Sequence, residues 1–392
     1  MTGKILVSDD TAVNRKVLAT ILQRVGHQVL LAEDGPATLR CVRTERPDLV
    51  LLDIMMPGID GYAVCAELKA DPATAETVVV FLTALGATTD KIRGLEVGAA
   101  DYITKPFDGG EVLARVQNQL RLLDLTRSLQ AANRALREKQ RLLDEDLEAA
   151  ADIQLALIPP PGLQLPGVGL AWLFEPCSAI GGDTFNAQAL GPDYLAFYIV
   201  DVNGHGVPPA MISVLVSQSL SPDRGLVRRA GDETEVVAPA RLFEELEIEY
   251  PMSRFERYFT LAYLLLHRPT GRLLYSSAAH PPPLLLRRSG DLEWLDAGGS
   301  IVGLGLGGYD QGEVRLEVGD RVFLYTDGIT ECTSRDGQLF GGDRLATELG
   351  RSRCEPLAAS CKALRDRLSD FGPGQADDDI SLLAFEYLGH DA

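Results

Sequence analysis

The chain has 392 residues, 46% hydrophobic and 24% charged, the balance of a folded protein of two to three domains. Acidic residues outnumber basic ones 56 to 37. The resulting net charge of −19 excludes a protein that coats nucleic acid, which sets Lys and Arg against phosphate. It leaves a metal enzyme open, because hard cations need clustered carboxylates. No apolar run approaches the roughly 20 residues that cross a bilayer, and MTGKILVSDD at the start lacks a signal segment. Cys41, Cys65, Cys177, Cys332, Cys354 and Cys361 are scattered, with no CxxC, and read as thiols of a reducing compartment; a cytoplasmic location is expected.

The first 120 or so residues alternate strand and helix signals. KILVSD (4–9), HQVLLA, DLVLLD (48–53), VVVFLT (78–83) and ADYITKP (100–106) read as short apolar strands, and Val13, Val17, Leu18, Ile21, Leu22 and Val25 keep helical spacing between the first two. Alternation of this kind predicts a parallel sheet covered on both faces. Ligands of such sheets sit beyond the carboxyl ends of the strands, which gathers Asp9, Asp10, Asp53, Thr83 and Lys105 at one edge. Carboxylates held together need a cation, so the three acids form a Mg²⁺ site. One of them can attack phosphorus and form an acyl phosphate, with Lys105 and the Thr83 hydroxyl on the phosphoryl oxygens.

SDD (8–10), LLDIMMPGIDGY (51–62), FLTA (81–84) and YITKPF (102–107) resemble the receiver domain of two-component response regulators. The resemblance implies a flavodoxin-like α/β fold, phosphorylation of Asp53 by a histidine kinase, and Mg²⁺ held by Asp9, Asp10, Asp53 and the Met55 carbonyl. It also implies Thr83 and Tyr102 as a switch pair.

Between Gly110 and Pro159 there is neither Gly nor Pro. Leu122, Leu129, Leu136, Leu143, Ala150 and Leu157 recur every seven residues, the seam of a coiled coil, with polar Thr126, Asn133 and Gln140 beside it. This predicts a dimerising helical linker over 121–157, separating a domain at 1–120 from one at 158–392.

Beyond IPPPG (158–162), VGLAWLF, YLAFYIVDV, YFTLAYLLL, RLLYSSA, RVFLYTD and ISLLAFEY read as strands, with helical stretches near 207–220, 239–249, 342–350 and 355–371. This is an α+β pattern. Asp183 follows a Gly pair, Asp201 and Asp327 end strands, and Asp378 stands at the entrance to the last strand. No Cys/His set with zinc spacing accompanies them. All-oxygen ligation points to Mg²⁺ or Mn²⁺, and four carboxylates suit a pair of ions that activates water for attack on a phosphoester.

These segments, with ADIQLALIPP (151–160), YFTLAYLLLHRPTGRLLYSSAAHPPPLLL (258–286), FLYTDGITE (323–331) and FGGDRL (340–345), resemble the metal-dependent (PPM) protein phosphatases, closest to bacterial serine phosphatases of sporulation and stress-sigma regulation. The resemblance implies two antiparallel sheets flanked by helices. It places two Mn²⁺ or Mg²⁺ on Asp183, Asp201, the Val202 carbonyl, Asp327 and Asp378, with Asp379 a neighbour. Asp201 would bridge the ions, and a hydroxide between them would be the nucleophile. The substrate it implies is a phosphoserine protein, an anti-sigma-factor antagonist.

Three positions depart from the family: Asn186 stands where a second acid is frequent, Ala279 where Gly is usual and Ser381 where Thr is common. His205 and His280 are read as turn-ordering residues, Met211, Leu215 and Val216 as helix core, and 221–237 as a surface flap. GGDTF (181–185) lacks the acid of the cyclase signature GGDEF at Thr184. The expected protein is therefore a response regulator whose state at Asp53 controls a serine/threonine phosphatase. The alternative from another class is a phosphorylation-gated adaptor with a non-catalytic phosphatase-like domain.

Overall fold

A computed structural model describes residues 2–84, 96–204, 206–222, 227–230, 233–372 and 378–390, with backbone alone at 227–230 and 233–235. His205 lies outside the described residues. The chain divides into two units, Met1–Arg141 and Leu142–Ala392.

In the first unit, β1 (Lys4–Ser8), β2 (Gln28–Ala32), β3 (Leu49–Asp53), β4 (Val78–Ala84) and β5 (Asp101–Lys105) form a parallel sheet in the order β2-β1-β3-β4-β5. Side chains alternate across a strand, so each apolar run feeds two cores. Leu6, Val50, Leu52 and Phe81 pack with Val42 of α2 (Gly35–Glu45) and Val64 and Leu68 of α3 (Gly61–Ala70). Ile5, Val7, Leu51 and Leu82 pack on the opposite face with Leu18 and Leu22 of α1 (Ala12–Arg24). Asp34 and Asp60 cap α2 and α3, their carboxylates accepting from Ala37 N and Ala63 N. Neighbours leave β1 in opposite directions, and that switch point carries the acids of the first site.

Helix α4 (Gly109–Leu155) has 47 residues, about 70 Å at 1.5 Å per residue. Val112, Val116 and Leu120 are buried in the first unit, whereas Leu122, Leu129, Leu136 and Leu143 are 57%, 69%, 66% and 56% exposed. The heptad seam is thus a bare apolar stripe. The helix ends at Leu155, so Leu157 falls in the turn after it rather than on the seam.

The second unit stacks two sheets. One runs β15 (Gly298–Gly299), β12 (Arg272–Ala278), β11 (Phe259–His267), β8 (Tyr194–Val202), β7 (Thr184–Leu190), with β16 (Gly312–Arg315) also on β12. The other runs β14 (Leu292–Trp294), β13 (Leu284–Leu286), β17 (Arg321–Tyr325), β18 (Ile380–Tyr387), β6 (Val168–Glu175). Pairing is antiparallel except β15 on β12. Phe197, Ile199, Leu264, Val322, Leu324 and Phe385 fill the space between sheets, and Phe197 stacks on Phe385 at 3.9 Å. The outer faces, such as Tyr198 and Val200 or Phe323 and Tyr325, are covered by α5 (Val207–Ser219) and α6 (Pro239–Glu249), or by α7 (Gly341–Arg351) and α8 (Leu357–Phe371).

One sequence expectation is corrected here. Val216 of α5 is core, but Met211 and Leu215 are 57% and 38% exposed, because α5 lays its other face on β8. Within 221–237, β9 (Val227–Ala230) pairs antiparallel with β10 (Glu233–Val236). Among the described residues, no helix is long and apolar enough to cross a membrane.

Candidate functional site

The receiver-type pocket opens at the carboxyl ends of β1 and β3. Asp9, Asp10 and Asp53 bring carboxylate oxygens within 4.8 Å of one another, Asp9 and Asp53 buried and Asp10 exposed. Lys105 Nζ lies 2.9 Å from Asp9 Oδ2 and 2.7 Å from Asp53 Oδ2. Burial pushes the Asp53 carboxyl above its ordinary range; Lys105 opposes that and the Asp9 charge adds to it. Asn14 Nδ2 donates to both Asp9 oxygens at 3.0 Å. Sequence reading missed this residue; its signal is an amide on the first turns of the helix that follows the acid pair. Met55 is exposed, and its N–H donates to Asp53 Oδ1 at 3.3 Å. Thr83 is buried at the end of β4, its hydroxyl 3.4 Å from the Ala84 carbonyl. Tyr102 lies half-buried on β5, with the Arg115 guanidinium 5.2 Å from its ring centre. The structure therefore brings Asp9, Asp10, Asp53, Met55 and Lys105 together, with Thr83 at the end of the neighbouring strand β4 and Tyr102 on β5, the strand that ends in Lys105.

The second cluster forms where β8 and β17 end and β7 and β18 begin, so both sheets contribute acids to one edge. Asp183, immediately before β7, is buried, and its Oδ2 accepts from Thr326 Oγ1 at 2.8 Å and Ser381 Oγ at 2.6 Å. Burial, then the Asp201 and Asp379 charges, push its carboxyl well above the ordinary range. Asp201, at the end of β8, is pushed up to about 7 by burial, then by Asp327, Asp378, Asp379 and Glu331. Asp327, opening the short helix Asp327–Thr330, is raised by burial, then by Asp378 and Glu331. The contrast with the receiver is the counterion: Lys105 offsets Asp53, whereas the charges that act most strongly on Asp201 and Asp327 are themselves carboxylates. Partly desolvated carboxylates so placed take up either protons or cations.

Asp378 and Asp379 differ sharply. Asp378 is exposed and accepts from Asp379 N at 2.8 Å. Asp379 is buried: Oδ2 accepts from Gly182 N at 2.6 Å and Asp183 N at 3.3 Å, and Oδ1 from Cys177 N at 2.8 Å. It folds the Gly–Gly–Asp turn around itself. Glycine is required there: a Cβ at 181 would overlap the Asp379 carboxylate, and one at 182 would sit 2.6 Å from the Val202 carbonyl. Cys177 Sγ lies within 4.8 Å of carboxylate oxygens of Asp378 and Asp379, a neighbour that sequence reading did not place.

Gln154 is a further residue missed. It is 3% exposed, the last residue but one of α4; Nε2 donates to the carbonyls of Gly181 (2.9 Å) and Asp183 (3.1 Å), and Oε1 accepts from Gly181 N at 3.2 Å. Its signal was an uncharged polar residue in the otherwise apolar stretch QLALIPP. Asn186, at the position where a second acid is frequent, donates to the Leu157 carbonyl at 2.9 Å and so holds the same segment.

A chain built this way joins a phosphoacceptor-type α/β domain to a two-sheet sandwich whose edge collects carboxylates for hard cations. Comparison with known proteins gives it a family. Residues 191–388, just over half the chain, match the model for Stage II sporulation protein E (SpoIIE), and the chain belongs to that phosphatase family. Residues 5–117 match the response regulator receiver domain. Among solved structures, the SiaA PP2C domain of Pseudomonas aeruginosa shares 23% identity and a TM-score of 0.55, covering 64% of this chain and 98% of that one. The RsbU and RsbW domains of a Mycobacterium tuberculosis protein share 23% identity and a TM-score of 0.50, covering 59% and 62%. At these identities the likeness is one of fold. The receiver region is 46% identical over 121 residues to a probable transcriptional regulator ycf27 of Galdieria sulphuraria, spanning 31% of this chain and 46% of that protein. It is 42% identical over 139 residues to the response regulator PleD of Caulobacter vibrioides, spanning 35% and 31%. The chain thus spans about half, or less, of the curated relatives it matches.

Proposed function

We propose that this is a cytoplasmic response regulator whose output domain hydrolyses phosphoserine or phosphothreonine on a protein, and that the state of Asp53 sets its activity. One observation carries the reading: strand-end carboxylates from both sheets, Asp183 buried and Asp201 and Asp327 half-buried, lie near enough that carboxylates are one another's strongest charged neighbours. The donor set is all oxygen and fits two Mn²⁺ or Mg²⁺. Asp183, Asp201, the Val202 carbonyl, Asp327 and Asp378 would hold them. Bound there, a metal pair supplies activated water and charge neutralisation at a phosphoester. The chain's own part is to fix the acids. Thr326 and Ser381 orient Asp183, and Asp379 and Gln154 shape the turn that carries it.

At the other site, Asp53 would attack phosphorus from a histidine-kinase donor, with Mg²⁺ on Asp9, Asp10, Asp53 and the Met55 carbonyl. Lys105, released from Asp53, would pair with the phosphoryl oxygens; Thr83 would turn its hydroxyl to them and Tyr102 would follow. Domains at 1–120 and 158–392, joined by a dimerising linker at 121–157, remain part of this reading. The unbroken helix α4 supports it: it begins four residues after Lys105 and ends on the segment that grips Gly181 and Asp183. The proposed substrate is a phosphoserine protein of the anti-sigma-factor-antagonist kind.

The test measures Mn²⁺-dependent release of phosphate from an aryl phosphate and from such a phosphoprotein, with Asp53 free and phosphorylated by acetyl phosphate. Activity lost in Asp327→Asn and altered by Asp53 phosphorylation is expected. Wild-type inactivity at every Mn²⁺ concentration refutes the enzyme and leaves the adaptor.

A further inference from the structure

His280 follows Ala279, a non-glycine residue at φ 50° that turns the chain sharply after β12. The imidazole is 5% exposed; Nε2 lies 3.0 Å from the Tyr325 carbonyl and Nδ1 2.7 Å from Thr260 Oγ1. A carbonyl only accepts, so Nε2 carries the proton. Burial pushes the ring down to about 3, which keeps it neutral, so Nδ1 accepts from the Thr260 hydroxyl.

The two partners belong to different sheets. Thr260, on β11, is the register partner of Asp201 on β8. Tyr325 ends β17 in the other sheet, two residues before Asp327. One rigid ring therefore spans the sandwich at the edge where the two sheets present their acids.

We propose that His280 is a positioning residue that fixes the separation of Asp201 and Asp327, and through it the spacing of the two-ion site. The proposal rests on the metal-phosphatase reading above. The apolar layer around Phe197 and Phe385 holds the sheets together further from this edge, but apolar packing is not directional. At the edge itself, like charges on Asp201, Asp327 and Asp378 push the sheets apart. Two directed hydrogen bonds from an aromatic ring with no internal torsion resist that push and return the acids to one distance. A tie of this kind acts on metal geometry without touching metal or substrate.

The experiment titrates the full-length chain with Mn²⁺ alone and follows electron paramagnetic resonance, which separates exchange-coupled pairs from isolated ions. Wild type is expected to give the coupled-pair spectrum on top of the isolated-ion lines of the Asp9, Asp10 and Asp53 pocket, which every variant shares. His280→Leu, matched in apolar bulk, is expected to bind the second ion of the pair about 10- to 100-fold more weakly and to lose the coupled signal. His280→Gln, whose amide can donate to Tyr325 and accept from Thr260, is expected to recover the coupled spectrum; failure to recover it, with the fold intact, counts against a directional tie. Circular dichroism in EDTA checks folding. If His280→Leu does not fold, Thr260→Val removes one of the two bonds with little change of shape and is expected to shift the second-ion affinity the same way. Coupled spectra and affinities equal to wild type in a folded His280→Leu, or in Thr260→Val, overturn the positioning role alone. A wild type that never shows a coupled pair overturns the two-ion reading and the tie with it.

Discussion

Metal binding at the carboxylate edge should be linked to protons, and the size of the linkage can be worked out. Without a cation, Asp201 is held up to about 7 by burial and by the carboxylates around it. A ligand oxygen must be deprotonated, so metal uptake below that pH displaces the Asp201 proton. At about pH 5, roughly two units below, removing the proton costs about 2.7 kcal/mol, or about a hundredfold in apparent affinity. Asp183, also raised, steepens the dependence further. Apparent Mn²⁺ affinity is therefore expected to climb at least about tenfold per pH unit up to about pH 7 and then level off. Isothermal titration in two buffers of different ionisation enthalpy counts the released protons directly. Stability of the metal-free domain should respond in the opposite sense through Asp201. Its folded pKa lies above the unfolded value of 3.8, so the native state binds the extra proton and loses that advantage as pH rises towards 7. An affinity flat from about pH 5 to about pH 7, with no proton released, refutes the account of mutual repulsion relieved by a cation.

Three further outcomes follow from the hydrogen bonds and exposed faces described above. Gln154→Glu keeps size but cannot donate to the Gly181 and Asp183 carbonyls, so it and Gln154→Ala should both lose about 1–3 kcal/mol of stability by urea denaturation and weaken Mn²⁺ binding; a Glu variant equal to wild type refutes the grip. Leu129→Glu with Leu136→Glu alters side chains that are 69% and 66% exposed in the single chain, so thermal stability at low concentration should hold while sedimentation shows a loss of dimer. Ala279→Gly relieves a left-handed backbone, offset in part by glycine's greater freedom when unfolded; a net gain of up to about 1 kcal/mol is expected in denaturant titration, and a loss would mean that the turn is not strained.

Much of the architecture was legible because the strands have both faces buried. DLVLLD and YLAFYIVDV could be read as strands directly, and each acid that ends one marks the edge where the sheet delivers its chemistry. The receiver pocket was equally legible, since its residues occupy strand ends in a regular alternation. Less visible were residues that act through backbone atoms. Gln154 and Asp379 meet amides and carbonyls of the Gly–Gly–Asp turn, partners that any sequence carries and that therefore leave no pattern. Met211 and Leu215 misled because apolar spacing marks a face without saying what covers it, and α5 turns Ile212 and Val216 to the sheet instead. Cys177 escaped because it approaches Asp378 and Asp379 from a loop some 200 positions away in the chain, its N–H bonded to Asp379 across a separation of 202 residues.

The built-in counterion at Lys105 has a consequence for how the molecule meets a shortage of magnesium. The input domain carries an ammonium group that can stand in for a missing ion between Asp9 and Asp53. The output domain must instead recruit hydrogen ions to quiet its acids. Without divalent ions the first pocket thus keeps a cation of its own, while the carboxylate edge of the second domain is left to take up protons.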